Sequence, residues 1–92
     1  MLPTAYEFHW DLGHIFFLGI FYSVLTVVAA DRPGLLFVIA TQLAAHHANL
    51  HTAKIATLGE RVEDTFLISG RHIEESAGRI KLETDLLKHL QP

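Results

Sequence analysis

Seven histidines, ten carboxylates and no cysteine are the chain's chemical inventory over 92 residues. His47 and His51 stand four apart, the spacing that puts two metal ligands on one helix face. Asn49 and Leu50 fall where the preceding helix should end, so the pair is expected to straddle a turn and point apart, and no metal site is assigned. His9 and His14 flank Trp10 and Asp11, but one short segment supplies no haem pocket; His72 and His89 read as solvated. Ser23, Ser69 and Ser76 lie in no nucleophile elbow, and no Gly-rich phosphate loop occurs. The acidic clusters at Glu74-Glu75 and from Glu60 to Asp64 suit solvated faces better than a pair of catalytic carboxylates. Neither catalysis nor a bound cofactor is therefore expected.

The elements that position these residues follow from composition and period. Ninety-two residues make one domain, with half of them hydrophobic and 18% charged, which excludes a disordered chain. Seven scattered Lys and Arg and a net charge of -3 leave no nucleic-acid footprint. Without cysteine, zinc ribbons and thiol nucleophiles are excluded and a reducing, cytoplasmic location is compatible.

Two readings compete for residues 12–30, a run without one charge and long enough to span a bilayer as a helix. With all basic residues from Arg32 onward, that reading gives a single-span membrane protein with a cytoplasmic C-terminus. The other makes YSVLTVVAA, residues 22–30, a strand rich in β-branched residues. The strand is preferred because two later helices have apolar faces that need a sheet to cover. The first, from Leu35 to His47, carries Leu35, Leu36, Ile39, Leu43 and Ala44, with Ala40 and Ala48 in the same sector. Asp31 is its expected N-cap, and Pro33 suits its first turn. Residues 49–58 alternate as a strand, Gly59-Glu60 turns, and residues 61–69 return with Val62, Phe66 and Ile68 on one face. A second helix, residues 73–90, carries Ile73, Ala77, Ile80, Leu86, Leu87 and Leu90, and Gly78 should weaken it by about 1 kcal/mol.

ADRPGLLF, then ANLHTAKI, then LGERVEDTFLISG, in this order and spacing, resemble the C-terminal ACT domain of the bifunctional uridylyltransferase and uridylyl-removing enzyme that modifies the nitrogen signal protein PII. The likeness covers about residues 23–70; residues 1–21 show none, and so abrupt a join raises a recombined or designed sequence. The resemblance implies an α+β, ferredoxin-like fold: an antiparallel sheet with two helices on one face. The domain would be residues 22–92, preceded by an apolar segment, residues 1–21, packed as a short helix or strand on the core or at a dimer interface. The sheet has three strands unless that segment completes it.

ACT modules bind small ligands, often amino acids, after the first strand, with backbone amides at the helix N-terminus facing a carboxylate. By motif position this implies Asp31, Arg32, Gly34 and Leu35, with Asn49 across a neighbouring or symmetry-related edge. The plainer reading is that Asp31 caps the helix and Gly34 lets helix and sheet pack closely. The expected function is a non-catalytic regulatory module that forms a homodimer through sheet edges or helices. A small inhibitor or antitoxin-like protein, meeting its partner through the apolar N-terminal segment, is the alternative beside the membrane span.

Overall fold

The computed structural model describes residues 6–17 and 19–90. The chain runs β1 (Glu7–Phe17), β2 (Ile20–Ala30), α1 (Leu35–Ala45), β3 (Asn49–Leu58), β4 (Arg61–Ser69), α2 (Arg71–Glu74) and α3 (Ser76–Leu90). The four strands form one antiparallel sheet in the order β1-β2-β4-β3. The uncharged run is thus divided between two strands meeting near Gly19, whose φ of 78° suits a reversal. Among the described residues no helix is long and apolar enough to cross a membrane.

The fourth strand comes from the N-terminal segment. Glu7 to Leu12 pair in continuous register with Val28 to Ser23 of β2, and the register slips between Leu12 and Ile15, beside Gly13. Phe8 and Trp10 pack against the core, and the Trp10 indole N–H donates to the Glu83 carboxylate on α3. Leu18 and the side chain of His14 lie outside the described residues.

Period-two burial explains the sheet. β2 turns Ser23, Leu25, Val27 and Ala29 toward the helices, and β4 turns Val62, Asp64, Phe66 and Ile68 the same way. Leu35, Ile39 and Leu43 of α1, Ile73 of α2, and Leu82, Leu86 and Leu90 of α3 close the core. Those spacings of four are one face of each helix.

Several sequence expectations change here. In α1 the buried stripe is narrower than predicted: Leu36 is 46% exposed, and Ala40 and Ala44 face outward. The predicted single helix over 73–90 is two pieces, because Glu75 adopts an extended conformation, φ -104° and ψ 138°. That break resets the helical phase, which leaves Ile80 64% exposed and buries Leu82 in its place. Gly78 does not act mainly as a weak point: a Cβ there would lie 1.8 Å from the His72 carbonyl oxygen. The turn of α2 packs directly on the α3 backbone, and only glycine leaves room. Asp31 is not the N-cap of α1. Its N–H donates to the Glu60 carbonyl at 3.1 Å, so it still belongs to the sheet side of the junction. Gly34 caps instead, with φ 80° and no side-chain cap, and Pro33 sits in the turn before the helix.

α1 stops on a Schellman turn, with Ala48 N–H donating to the Leu43 carbonyl at 2.9 Å and His47 N–H to that of Ala44 at 3.0 Å. The residue in the left-handed position is His47, φ 57°, rather than glycine. His47→Gly should therefore raise stability by about 0.5–1 kcal/mol, read as a higher urea midpoint at unchanged slope.

Candidate functional site

The junction between β2 and α1 is open chain with few side-chain commitments. The Leu35 amide is taken by the Arg32 carbonyl at 3.3 Å, and that of Val38 by the Gly34 carbonyl at 3.0 Å. The amides of Leu36 and Phe37 lie between them, in the first turn of a helix that no side chain caps. The helix dipole adds partial positive charge at the same place.

The predicted site residues separate into groups. Asp31 is exposed beside this helix end, and Gly34 forms the end itself. Around the position of a Gly34 Cβ there is open space, so its left-handed backbone, not close packing against the sheet, is what requires glycine. Leu35 contributes its side chain to the core, 4% exposed. Arg32 turns away: its guanidinium donates to the Leu90 carbonyl and to the Tyr6 hydroxyl, the latter at 3.5 Å. A cation at a helix C-terminus is favourable, and this contact ties α3 to the junction. The Tyr6 hydroxyl donates to the same carbonyl at 3.1 Å. Asn49 lies at the far end of the sheet. It pairs with Ser69, whereas Ala30 pairs with Arg61, and eight strand residues span about 26 Å. Within one chain Asn49 cannot share a ligand with Asp31.

One residue was missed. Asp64 sits in the helix-facing row of β4, between Val27 and Ile55, and is 2% exposed. Among the described residues its Oδ1 has no hydrogen-bond partner. Burial pushes its carboxyl above the usual carboxylate range, and the charge of Asp31 adds to the shift. The signal was present in VEDTFLI, where an acid interrupts an otherwise apolar in-facing row of Val62, Phe66 and Ile68.

Above the ordinary carboxylate pKa and up to the raised one, the folded chain holds a proton that the unfolded chain has lost, so stability falls as pH rises through that window and stays lowered above it. Asp64→Asn should therefore stabilise the chain by about 1 kcal/mol at neutral pH. The gain should vanish in acid, below the ordinary carboxylate range. Urea unfolding of both proteins at several pH values reads it.

The histidines divide as well. His51 lies on β3, where its Nε2 meets Ser69 Oγ at 2.7 Å and its ring stands edge-on to Tyr22 at 4.8 Å. His47 faces His72 instead, with ring centroids 6.5 Å apart. His72 is exposed but not merely solvated, and His89 Nδ1 meets the Asp85 carbonyl at 2.8 Å.

On the open sheet face, His9 lies 3.4 Å from the Glu7 carboxylate, and Arg61 donates to the same carboxylate at 2.9 Å. Arg61 first, then His9, hold the Glu7 carboxyl below its ordinary value. This exposed cluster links β1 to β4 across β2, and screening keeps it weak.

Comparison with known proteins places this geometry. Over 67 residues, 73% of the chain, it is 57% identical to the bifunctional uridylyltransferase/uridylyl-removing enzyme of Aromatoleum aromaticum. Identity is 52% with that enzyme of Burkholderia orbicola and 49% with that of Burkholderia mallei, over the same length. The chain is homologous to a segment of these enzymes. It spans 8% of the length of each. No family model matches. Among solved structures, a putative glycine cleavage system transcriptional repressor aligns with TM-score 0.57 and 26% identity, over 74% of this chain and 37% of that one. An unknown protein from Galdieria sulphuraria aligns with TM-score 0.59 and 25% identity, over 71% and 37%. The chain has a ferredoxin-like, ACT-like regulatory fold.

Proposed function

We propose that the chain is a regulatory module without catalytic activity of its own, which binds an amino acid at the β2–α1 junction and pairs with a second copy. The observation that carries the reading is an uncapped helix N-terminus beside the exposed Asp31 carboxylate, whose charge acts on the buried Asp64. First-turn amides suit the ligand's carboxylate, and the two acids suit its ammonium group. A zwitterion satisfies both at once, whereas a plain anion would meet Asp31 and a plain cation would meet the helix dipole. Homology to a segment of a larger enzyme fits a sensing role in the cytoplasm, with the transfer and removal chemistry of the relatives assigned to the rest of those proteins.

The second copy enters through β3. This edge strand is exposed along nearly its whole length, carries a single charge at Lys54, and leaves Ile55 49% and Leu58 59% exposed. Antiparallel pairing of two such edges would extend the sheet across a twofold axis. Asn49 then belongs to a ligand site only if it comes from the partner copy.

Isothermal titration of the chain with L-glutamine and the other L-amino acids tests the ligand. Saturable heat at millimolar concentration or below, for one or a few of them, is expected. No heat with any amino acid overturns the ligand assignment.

A further inference from the structure

A second recess lies at the opposite end of α1. It encloses about 330 Å³ where the C-terminal end of α1 meets α2 and α3. Gln42, His46 and His47 line it from α1 and the turn that follows, His72 from α2, and Lys81 and Asp85 from α3. An 11-residue helix is about 16 Å long, so this recess is separate from the β2–α1 junction.

Its lining offers several hydrogen-bond donors. His46 Nε2 is held 2.8 Å from Asp85 Oδ2, which fixes that ring and engages the carboxylate that lines the cavity. Gln42 is 8% exposed, and it lines the recess. Lys81 is exposed and takes part in none of the ion pairs among the described residues. His47 and His72 face each other across 6.5 Å, and a neutral imidazole already offers one N–H.

The C-terminal end of a helix normally repels an anion. Here the Gln42, Leu43 and Ala44 carbonyls are already occupied by the amides of His46, Ala48 and His47. Gly78, in the first turn of α3, brings the positive end of that helix to the cavity wall. A divalent cation fits less well. Asp85 is already bonded, and among the described residues no three ligating groups converge.

We propose that this recess is a binding site for a small molecule bearing an oxyanion, a carboxylate or phosphate group, held by Lys81, the Gln42 amide and the His47 and His72 imidazoles. The site is independent of the amino-acid reading above. Its volume is at the lower end of small-ligand pockets, which suits a metabolite-sized anion better than a polymer.

The test follows the imidazole resonances of the full chain by NMR during titration with sodium phosphate, and separately with sodium succinate, each against sodium chloride at matched ionic strength. Saturable shifts confined to His46, His47 and His72, with His9, His51 and His89 unmoved, are expected. Response to phosphate alone assigns a phosphate-bearing ligand, and response to succinate alone a carboxylate. Lys81 is exposed, so Lys81→Gln should fold normally and weaken the binding about tenfold, about 1.4 kcal/mol. Shifts that grow linearly without saturating, that spread equally over all histidines, or that survive Lys81→Gln unchanged would overturn the proposal. Saturable shifts of these three rings with zinc chloride but with neither anion would overturn it too.

Discussion

Gly78→Ala is expected to destabilise the chain by about 2–3 kcal/mol, although alanine is the better helix former by about 1 kcal/mol. The reason is backbone, not side chain. A methyl group at Gly78 would sit 1.8 Å from the His72 carbonyl oxygen, inside any tolerable contact. The neighbour cannot swing aside as a lysine tip would, because it is the peptide of a helical turn. That turn also delivers Ile73, 1% exposed, to the core. Lifting α2 off α3 exposes a side chain whose burial is worth about 1.5–3 kcal/mol, so the loss exceeds the gain in propensity. At 4–8 °C per kcal/mol for a domain of this size, the melting temperature should fall by roughly 10–20 °C. Ser76→Ala, at an exposed position at the start of the same helix, serves as the control and should change little. A Gly78→Ala protein at least as stable as the parent would mean that α2 and α3 do not make this approach.

The second large effect concerns association. Ile55 stands on the helix-facing side of β3, opposite Asp64, yet is 49% exposed because β3 lies at the sheet's edge. If two β3 edges meet about a twofold axis, Ile55 lies at the seam in both copies. Ile55→Glu then places two carboxylates near each other and removes two apolar contacts at a single mutation. We expect dimer dissociation to become easier by a hundredfold or more, about 2.7 kcal/mol. The fold itself should be little affected, since exposed substitutions away from special features change stability by about 0.5 kcal/mol or less. Light scattering across a dilution series should give twice the monomer mass for the parent and the monomer mass for the variant at the same concentration. A parent that stays monomeric, or a variant that dimerises equally well, removes the β3 seam.

Much of the fold was legible because its central strands and helices obey simple periods. YSVLTVVAA reads as a strand from its β-branched residues, and it occupies the middle of the sheet as β2. Leu35, Ile39 and Leu43 gave the buried line of α1. Three features were not legible, each for a physical reason. EFHWDLGHIFF carries no clean alternation, since a register slip interrupts it, so its role as β1 emerges only from pairing with β2. The break at Glu75 has no proline or glycine to announce it, and it is set by the tertiary contact of α2 on Gly78. The predicted N-cap at Asp31 failed because the β2–β4 ladder runs one residue further than local propensity indicates.

The β2–α1 junction was legible in the sequence, but the partners of its side chains were not. ADRPG marks the junction, but Arg32 spends its donors on Leu90 and Tyr6, partners at the two ends of the chain that no local pattern could name. Asp64 was visible as an acid in an apolar row and was assigned to a solvated cluster, because its neighbours Glu60 and Glu63 do not share its burial. If Asp64 serves the ligand, Asp64→Asn should be more stable and yet bind more weakly, the usual tension between a site and the fold that carries it.

Amide-resolved NMR during titration with L-glutamine, followed in turn by the other amino acids, tests most directly whether this sheet and helix form a sensing site. Saturable shifts concentrated at residues 31–37 and at Asp64, with the strand pairings of β1 and β2 intact, are expected. Saturable binding that leaves those residues unmoved, or no binding by any amino acid at millimolar concentration, would contradict it.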